Sequence, residues 1–474
     1  MRLNIPMWVL VRAAMVACAA LGSAMAGADS AVDIGNRWEP LVDRFLVERL
    51  DGSARHELIP PEYAGPVFAF DAPWEGRYCG YVTVLQDGGR FLMYYRGLPE
   101  SGNDGSAAEV TCIAESSDGI AWQRPALSLF TVNGISSNNV VVADKAPYSH
   151  NFAPFLDTNP ECPPERRFKA LAGILETGLS TFVSSDGIHW TMETEGAIRE
   201  GGVFDSQNVA FWSETEKQYL CYARTWSAVG FSGFRWVGRS TSPDFQNWTP
   251  VVPMEKGNAP DEHIYTNQTL PCPDAPHLYI SIAARFMPNR RAITEEEAAR
   301  IGVEPTYAGD CSDVILMTSR GGNRYERSFL EAYIRPGIGP EHWTSRTNYP
   351  ARGIIKTGPE EWSIYIQEAY GQPAHRLVRY RLGPMRFAAV RAGHAEGVLE
   401  TRPFTFTGET LYLNMSTSAA GHIRCARVFS TRWESWAATT RWPPISTTRH
   451  RASAIRKRSC AAPWTMRGAT TTTY

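Results

Sequence analysis

The sequence predicts an all-β protein: a five-bladed β-propeller followed by an incomplete β-sandwich-like segment. Three observations carry that expectation. Ser116–Trp122 (SSDGIAW), Ser184–Trp190 (SSDGIHW) and Thr241–Trp248 (TSPDFQNW) nearly repeat one another, and they begin 68 and then 57 residues apart. A degenerate fourth copy, Thr318–Tyr325 (TSRGGNRY), begins 77 residues further on. Self-similarity at this spacing points to one copy per blade. Between the copies lie short runs that alternate β-branched and aromatic residues and end in Gly, Pro, Asp or Asn. Aromatic residues make up 11% of the chain, with 15 Trp, which suits the bulky wedges between blades.

The elements follow in order. Residues 1–26 have the build of an export leader. Arg2 supplies the positive start, an apolar stretch runs from Met7 to Leu21, and Ala24-Met25-Ala26 gives a small-x-small cleavage site. Arg12 interrupts the apolar run, which argues against a membrane span. The expected location is secreted or periplasmic. Lipid anchoring at Cys18 is the lesser alternative, because Met15-Val16-Ala17 is a poor lipobox. Export implies an oxidising compartment. The six cysteines of the main body (Cys79, Cys112, Cys162, Cys221, Cys272 and Cys311) form no CxxC pair and no metal-ligand spacing.

Residues 27–66 read as a lead-in segment that closes the propeller, which spans 67–395. Its blades run from Val67 to Pro125, Asn138 to Glu193, Val203 to Met254, Glu262 to Ile334, and Ile354 to about Ala392. In blade four, Ile293–Ile301 interrupts the β pattern with a Thr cap and an acidic first turn, and predicts a short inserted helix. In each repeat Asp-Gly makes a tight turn, the Asp side chain bonds nearby amides, and the Trp packs between blades. The repeat therefore marks a blade and carries no catalysis. Residues 396–424 alternate again and read as the first strands of a sandwich. Residues 425–474 hold eight Arg and one Lys against Glu434 alone, a net +8, with ten Thr, four Trp and no periodicity. This tail reads as an out-of-frame, unstructured stretch, and it leaves the sandwich strands without partners.

Overall the chain carries −2, and residues 1–424 carry −10, which argues against nucleic acid as the main partner. In a propeller the innermost strands converge on one axis, so polar residues just before them meet at one mouth. Such clusters are Asp71 to Gly76, Ser149 to Asn151, Asp205 to Asn208, and Asp261 to Asn267. Glycoside hydrolysis needs two carboxyl groups with different proton affinities across the scissile bond, and a third acid can tune the proton donor. One acid each from blades one, three and four meets that need. Asp71 and Glu75 both fit in blade one, with Glu75 nearer the strand. Asp205 and Glu262 serve the other two blades. The expected substrate-binding side chains are Trp74, His150, Asn151, Gln207, Asn208, His263, Tyr265, Arg96, Arg285 and Arg320. The arginines suit a carboxylated or sulfated sugar. No cofactor or metal is expected.

Over about residues 40–424 the chain resembles the five-bladed propeller glycoside hydrolases of families 32 and 43. It is similar especially to bacterial secreted proteins described as family 32 N-terminal-domain-like. The matching segments are Pro73–Gly76 (PWEG), Phe204–Asn208 (FDSQN), Glu262–Tyr265 (EHIY), Ala284–Phe286 (ARF), Thr318–Arg320 (TSR) and Thr357–Glu361 (TGPEE). The resemblance implies a propeller plus a small sandwich, with acids in blades one, three and four as base or nucleophile, modulator and general acid. Carried over, Asp205 would be the modulator and Glu262 the proton donor. The opening motifs of invertases and of arabinanases are both missing, which leaves the sugar and the stereochemistry open. The expected function is a secreted glycoside hydrolase acting on a carbohydrate substrate. The alternatives are a non-catalytic carbohydrate-binding propeller and a sialidase-like propeller.

Overall fold

The computed structural model describes residues 31–102, 104–229, 231–257, 259–408 and 410–425, and the backbone of 451–456. The expected leader, Cys18 and most of the tail lie outside the described residues. The chain divides into two compact units, one of Trp38–Arg44 and His56–Val390, the other of Met1–Arg37, Phe45–Arg55 and Arg391–Tyr474. No helix among the described residues is long and apolar enough to cross a membrane.

The first unit is a five-bladed β-propeller. Blade one contains Gly80–Asp87, Arg90–Gly97, Val110–Ser116 and Val140–Val142, in that order from the axis outward. Blade two contains Ala153–Leu156, Phe168–Ala172, Leu179–Ser184 and Thr191–Ile198. Blade three contains Val209–Ser213, Gln218–Ala228, Ser232–Ser242 and Val252–Pro253. In blade four the inner edge is split into His263–Thr266 and Leu270–Cys272, followed by Ala275–Met287 and Cys311–Ser319. Blade five pairs Tyr349–Pro350 and Ile355–Gly358 with Glu361–Glu368, then Arg376–Leu382. Its outermost strand is Glu62–Ala69, antiparallel to Arg376–Leu382. Val67 thus belongs to blade five and not to blade one. The ring closes when a strand from the start of the chain joins one from the end, so no blade is left with an open seam.

The repeated turns lock neighbouring blades together. In the first, Ser116 Oγ accepts from the amides of Asp118 and Gly119, and Asp118 Oδ1 accepts from those of Ile120 and Ala121 at 2.7 and 2.8 Å. The second and third copies repeat this pattern at Ser184/Asp186 and Ser242/Asp244. Gly119 and Gly187 sit at φ +72° and +80°, where a Cβ is costly. At Gly187 a Cβ would also meet Tyr94 Oη at 2.4 Å, because that hydroxyl donates to the Gly187 carbonyl from blade one. Tyr365 of blade five reaches the Gly119 carbonyl in the same way. In the third copy Phe245 replaces the glycine at φ +70° and is fully buried against Phe155 of blade two. Burial of that ring offsets its backbone cost. Trp122 and Trp190 meet these same tyrosines, at 6.0 and 6.2 Å between ring centroids.

The axis is filled by polar side chains that pair with backbone. Arg352 donates to the carbonyls of Pro154 at 3.2 Å and Ala210 at 2.7 Å, so it ties blade five to blades two and three. Burial lowers its pKa to about 10, which leaves it charged at neutral pH. Gln268 donates to Gln207 Oε1 at 2.7 Å and to the Pro350 carbonyl at 2.8 Å. Gln207 in turn donates to the Tyr81 carbonyl at 3.0 Å and Thr83 Oγ1 at 2.9 Å. Each of these bonds, if lost, would leave a buried polar group unpaired at a cost of about 1–3 kcal/mol, so they hold the floor in place.

The expected insertion in blade four is the helix Glu295–Ile301. Thr294 and Glu297 form a reciprocal capping box, and Gly302 ends the helix in the left-handed conformation. The helix and the residues after it pack Ile293, Ala298, Val303 and Tyr307 against Tyr78 and Leu98 of blade one and Tyr370 of blade five. None of the described cysteines is disulfide-bonded.

In the second unit, Gly397–Thr401 pairs antiparallel with Val47–Gly52, and Phe404–Thr405 pairs parallel with Val32–Asp33. The strands after the propeller therefore have partners from the start of the chain, contrary to the expectation that they lack them. Within the tail, Arg451–Arg456 forms a strand against Thr410–Met415, so these six residues are not unstructured.

Candidate active site at the propeller mouth

One contiguous cluster of charged and aromatic side chains occupies the mouth. It begins with Arg96, at the end of the second strand of blade one. Its Nη1 donates to Asp104 Oδ1 at 3.0 Å and Glu109 Oε1 at 3.2 Å, and its Nη2 to the Tyr78 carbonyl and Tyr370 Oη. Asp104 and Glu109 lie in and just after the loop that joins the second and third strands of that blade. Glu109 is fully buried. Its Oε2 accepts from the Gly105 amide at 2.8 Å, and His150 Nδ1 lies 3.1 and 3.2 Å from its two oxygens. A carboxylate there requires His150 to carry its proton on Nδ1.

The cluster continues across the mouth. Arg346 Nη1 lies 3.9 Å from Asp104 Oδ2 and donates to Tyr370 Oη at 3.3 Å. Its guanidinium stands over the rings of Tyr265 and Tyr307, at 5.7 and 5.2 Å. Tyr265 is the hub: Tyr349 packs on it at 4.9 Å, and Arg224 and Arg235 stand over it at 4.6 and 5.4 Å. Arg224 Nη1 donates to Asp205 Oδ1 at 3.1 Å. Every blade except the second contributes an arginine or a tyrosine to this cluster, and the second contributes His150.

Electrostatics sort these groups. Burial, the largest influence on Asp104, pushes its pKa up, but the charges of Arg96, Arg346 and His150 outweigh it and hold the carboxyl below its ordinary value. Asp104 and Asp205 are the partly open acids of the cluster, with side chains 41% and 39% exposed. Asp205 Oδ2 meets no donor among the described residues, whereas Oδ1 is taken by Arg224. Tyr81 is half-buried beneath Arg96 and edge-on to His150, and desolvation raises its pKa well above the usual phenol value. His263 Nδ1 faces both the Arg235 amide at 3.2 Å and its guanidinium at 3.3 Å. Two donors on one nitrogen make it an acceptor, and burial with the charges of Arg235 and Arg224 keeps this imidazole neutral.

The backbone here is held in costly conformations. Tyr81, Phe204, Arg346 and Asn348 have φ of +51°, +55°, +58° and +66°. Such residues cost of order 1–3 kcal/mol each and gather where a site fixes side-chain direction.

Among the sequence-derived candidates, Arg96, His150, Asp205, His263 and Tyr265 belong to this cluster. The others do different work. Glu75 is fully buried inside blade one. It accepts from Tyr95 Oη at 2.5 Å, Arg124 Nε and Nη2 at 2.8 Å, and the Ala72 amide at 3.0 Å. A carboxylate with four donors has no lone pair left for a substrate. Asp71 is exposed and pairs with the same Arg124. Trp74 is buried, and its Nε1 donates to Asn139 Oδ1 at 2.8 Å, so its ring is not a stacking platform.

Glu262 accepts from Arg285 at 2.8 Å and from Arg327. Burial opposes its ionisation most strongly, but the two arginines together prevail and lower its pKa. A carboxyl kept ionised by two guanidinium groups is a poor proton donor. Arg285 grips Asp313 with two bonds of 2.8 and 2.6 Å, and Arg320 holds Glu39 and Asp43 of the lead-in segment. Asn151 bonds the backbone of Gly173, Phe204 and Ser206, Asn208 that of Phe204, Ser206 and Arg224, and Gln207 lies in the floor.

Sequence reasoning missed Asp104, Glu109, Tyr81, Arg224, Arg235, Arg346, Tyr307 and Tyr349. The available signal was the long polar loop between two β runs of blade one, since loops joining second and third strands open on the same end as the starts of inner strands.

No protein-family model matches the chain, and no curated protein matches it. Several solved structures similar to it are described as glycoside hydrolases. One described as "Glycoside hydrolase" is 12% identical, covers 70% of this chain and 95% of its own, and gives a TM-score of 0.43. An N-acetylgalactosamine deacetylase from F. plautii, in complex with blood group B trisaccharide, is 14% identical with 70% and 97% covered and a TM-score of 0.42. Zg3597, a family 117 glycoside hydrolase from the marine bacterium Zobellia galactanivorans, is 10% identical with 69% and 89% covered and a TM-score of 0.39.

Proposed function

We propose that this protein is an exported glycoside hydrolase whose carboxyl pair is Asp104 and Asp205. The observation that carries the proposal is the run of contacts Asp104–Arg346–Tyr265–Arg224–Asp205 at the propeller mouth, which links these two partly open acids of blades one and three. Asp104, kept ionised by Arg96 and Arg346, is the carboxylate that attacks or activates water. Asp205, with one oxygen unpartnered, delivers a proton to the glycosidic oxygen, which leaves as the alcohol, and the proton is replaced from the water that completes hydrolysis. Glu109 and His150 brace Arg96 and so position Asp104. Tyr265, Tyr307 and Tyr349 are buried, and the rings of Tyr265 and Tyr307 hold the guanidinium groups of Arg224 and Arg346 in place. Export rests on the leader at residues 1–26.

The test is to incubate the purified protein with neutral, uronic-acid-containing and sulfated oligosaccharides and to follow new reducing ends by chromatography. Asp104→Asn and Asp205→Asn should each lower the rate about 10²- to 10⁴-fold while the fold is retained. Full activity in both variants, or no cleavage of any glycoside, would sink the proposal.

A further inference from the structure

The arginines at the mouth differ in one respect: whether a carboxylate answers them. Arg96 is answered by Asp104 and Glu109, Arg224 by Asp205, and Arg346 approaches Asp104 at 3.9 Å. Arg235 has no carboxylate oxygen within 4.0 Å among the described residues. It is half-buried, and its Nε is buried with no hydrogen-bond partner. Burial and the charge of Arg224 push its pKa down. Its guanidinium is wedged among the rings of Trp226 at 4.6 Å, Phe286 at 5.2 Å and Tyr265 at 5.4 Å.

The one polar side chain it faces closely, His263, is neutral and itself an acceptor. Arg352 also lacks a carboxylate, but it is buried in the floor, where its two terminal nitrogens each bond a backbone carbonyl. Arg235 stands instead at the open end, on a hairpin whose two strands, Gln218–Ala228 and Ser232–Ser242, are eleven residues each. The tip of that hairpin leaves Val229 and Phe231 exposed. A cation desolvated by aromatic walls, beside a second arginine, binds an oxyanion more strongly than it binds water.

We infer that Arg235 receives an anionic substituent of the sugar, a carboxylate or a sulfate, and so selects acidic over neutral saccharides. This rests on the glycosidase reading only for the identity of the ligand as a sugar. The planar fork suits two oxygens of either group, and the aromatic walls keep the guanidinium poorly hydrated.

The full chain is tested by calorimetric titration with glucuronic acid, glucose 6-sulfate and glucose, at fixed ionic strength. One of the two acidic sugars should bind at least about tenfold more tightly than glucose, and which one tells carboxylate from sulfate. Arg235→Met should bring the affinity for the acidic sugar down to that for glucose, and Arg235→Lys should restore part of the preference. Equal binding of all three sugars by the wild type overturns the inference, and this arm does not depend on the variants folding. A preference that survives Arg235→Met also overturns it. Acidic sugars held through Arg235 without cleavage of any glycoside would refute the glycosidase reading alone. Cleavage indifferent to charge would refute the Arg235 inference alone.

Discussion

Replacing Glu75 by Ala separates two roles that the sequence leaves entangled, a catalytic acid and a structural anchor. The structure makes it an anchor, so the change should cost stability and spare chemistry. Breaking a buried ion pair costs about 3–5 kcal/mol, because the surviving charge is stranded. Here the survivor is less stranded than usual. Arg124 is partly exposed and keeps Asp71 and the Ala69 carbonyl as acceptors, and Tyr95 Oη still accepts from Asn139. The expected loss is therefore about 3 kcal/mol, a fall of roughly 4 °C in melting temperature for a unit of this size. The assay is thermal unfolding by circular dichroism, with kcat/KM on the best substrate of the panel corrected for the folded fraction. Activity per folded molecule should stay within about twofold of wild type. A hundredfold or greater loss of kcat/KM with an unchanged melting temperature would refute the reasoning and return Glu75 to the catalytic machinery.

Two further outcomes follow from the contacts. Glu262→Gln should leave activity per folded molecule intact but lower stability at neutral pH, measured by urea unfolding. Because the folded-state pKa of Glu262 is depressed below its ordinary 4.5, its contribution is present above that value and lost as pH falls through the folded value. The gap between Glu262→Gln and wild type should therefore close on acidification below about pH 4, and a gap that widens there would contradict the pairing with Arg285 and Arg327. Arg352→Met should cost about 2–4 kcal/mol by stranding the carbonyls of Pro154 and Ala210, and a melting temperature at or above wild type would show that the axis does not need those bonds.

The blade pattern was legible because its signal is local. An Asp that bonds amides two and three residues on, and a glycine that must take positive φ, leave their mark within a seven-residue window. The capped helix at Glu295–Ile301 was legible for the same reason. Ring closure was less so. The alternation of Glu62–Ala69 marks a strand, but its partner, Arg376–Leu382, lies some three hundred residues away, and this puts Val67 in blade five and not in blade one. Likewise the strands after the propeller find partners at Val32–Asp33 and Val47–Gly52 that no local pattern announces.

The site shows the same division more sharply. Glu75, Glu262 and Asp205 are each an acid set just before or beside a β run, and nothing in their neighbours ranks them. What ranks them is the number of donors that folding brings. Glu75 meets an arginine 49 residues on in the chain, and Glu262 one 65 residues on. Asp205 keeps an oxygen free, and Asp104, in a loop that the sequence did not mark, sits between two arginines from blades one and five. The chain alone thus determined the repeated turns and the strand alternation that mark the blades, since these depend on contacts within a few residues. Only the tertiary structure decided which carboxylates are saturated and which are left open, because a carboxyl's chemistry is set by the charges and donors around it, and those arrive from distant blades.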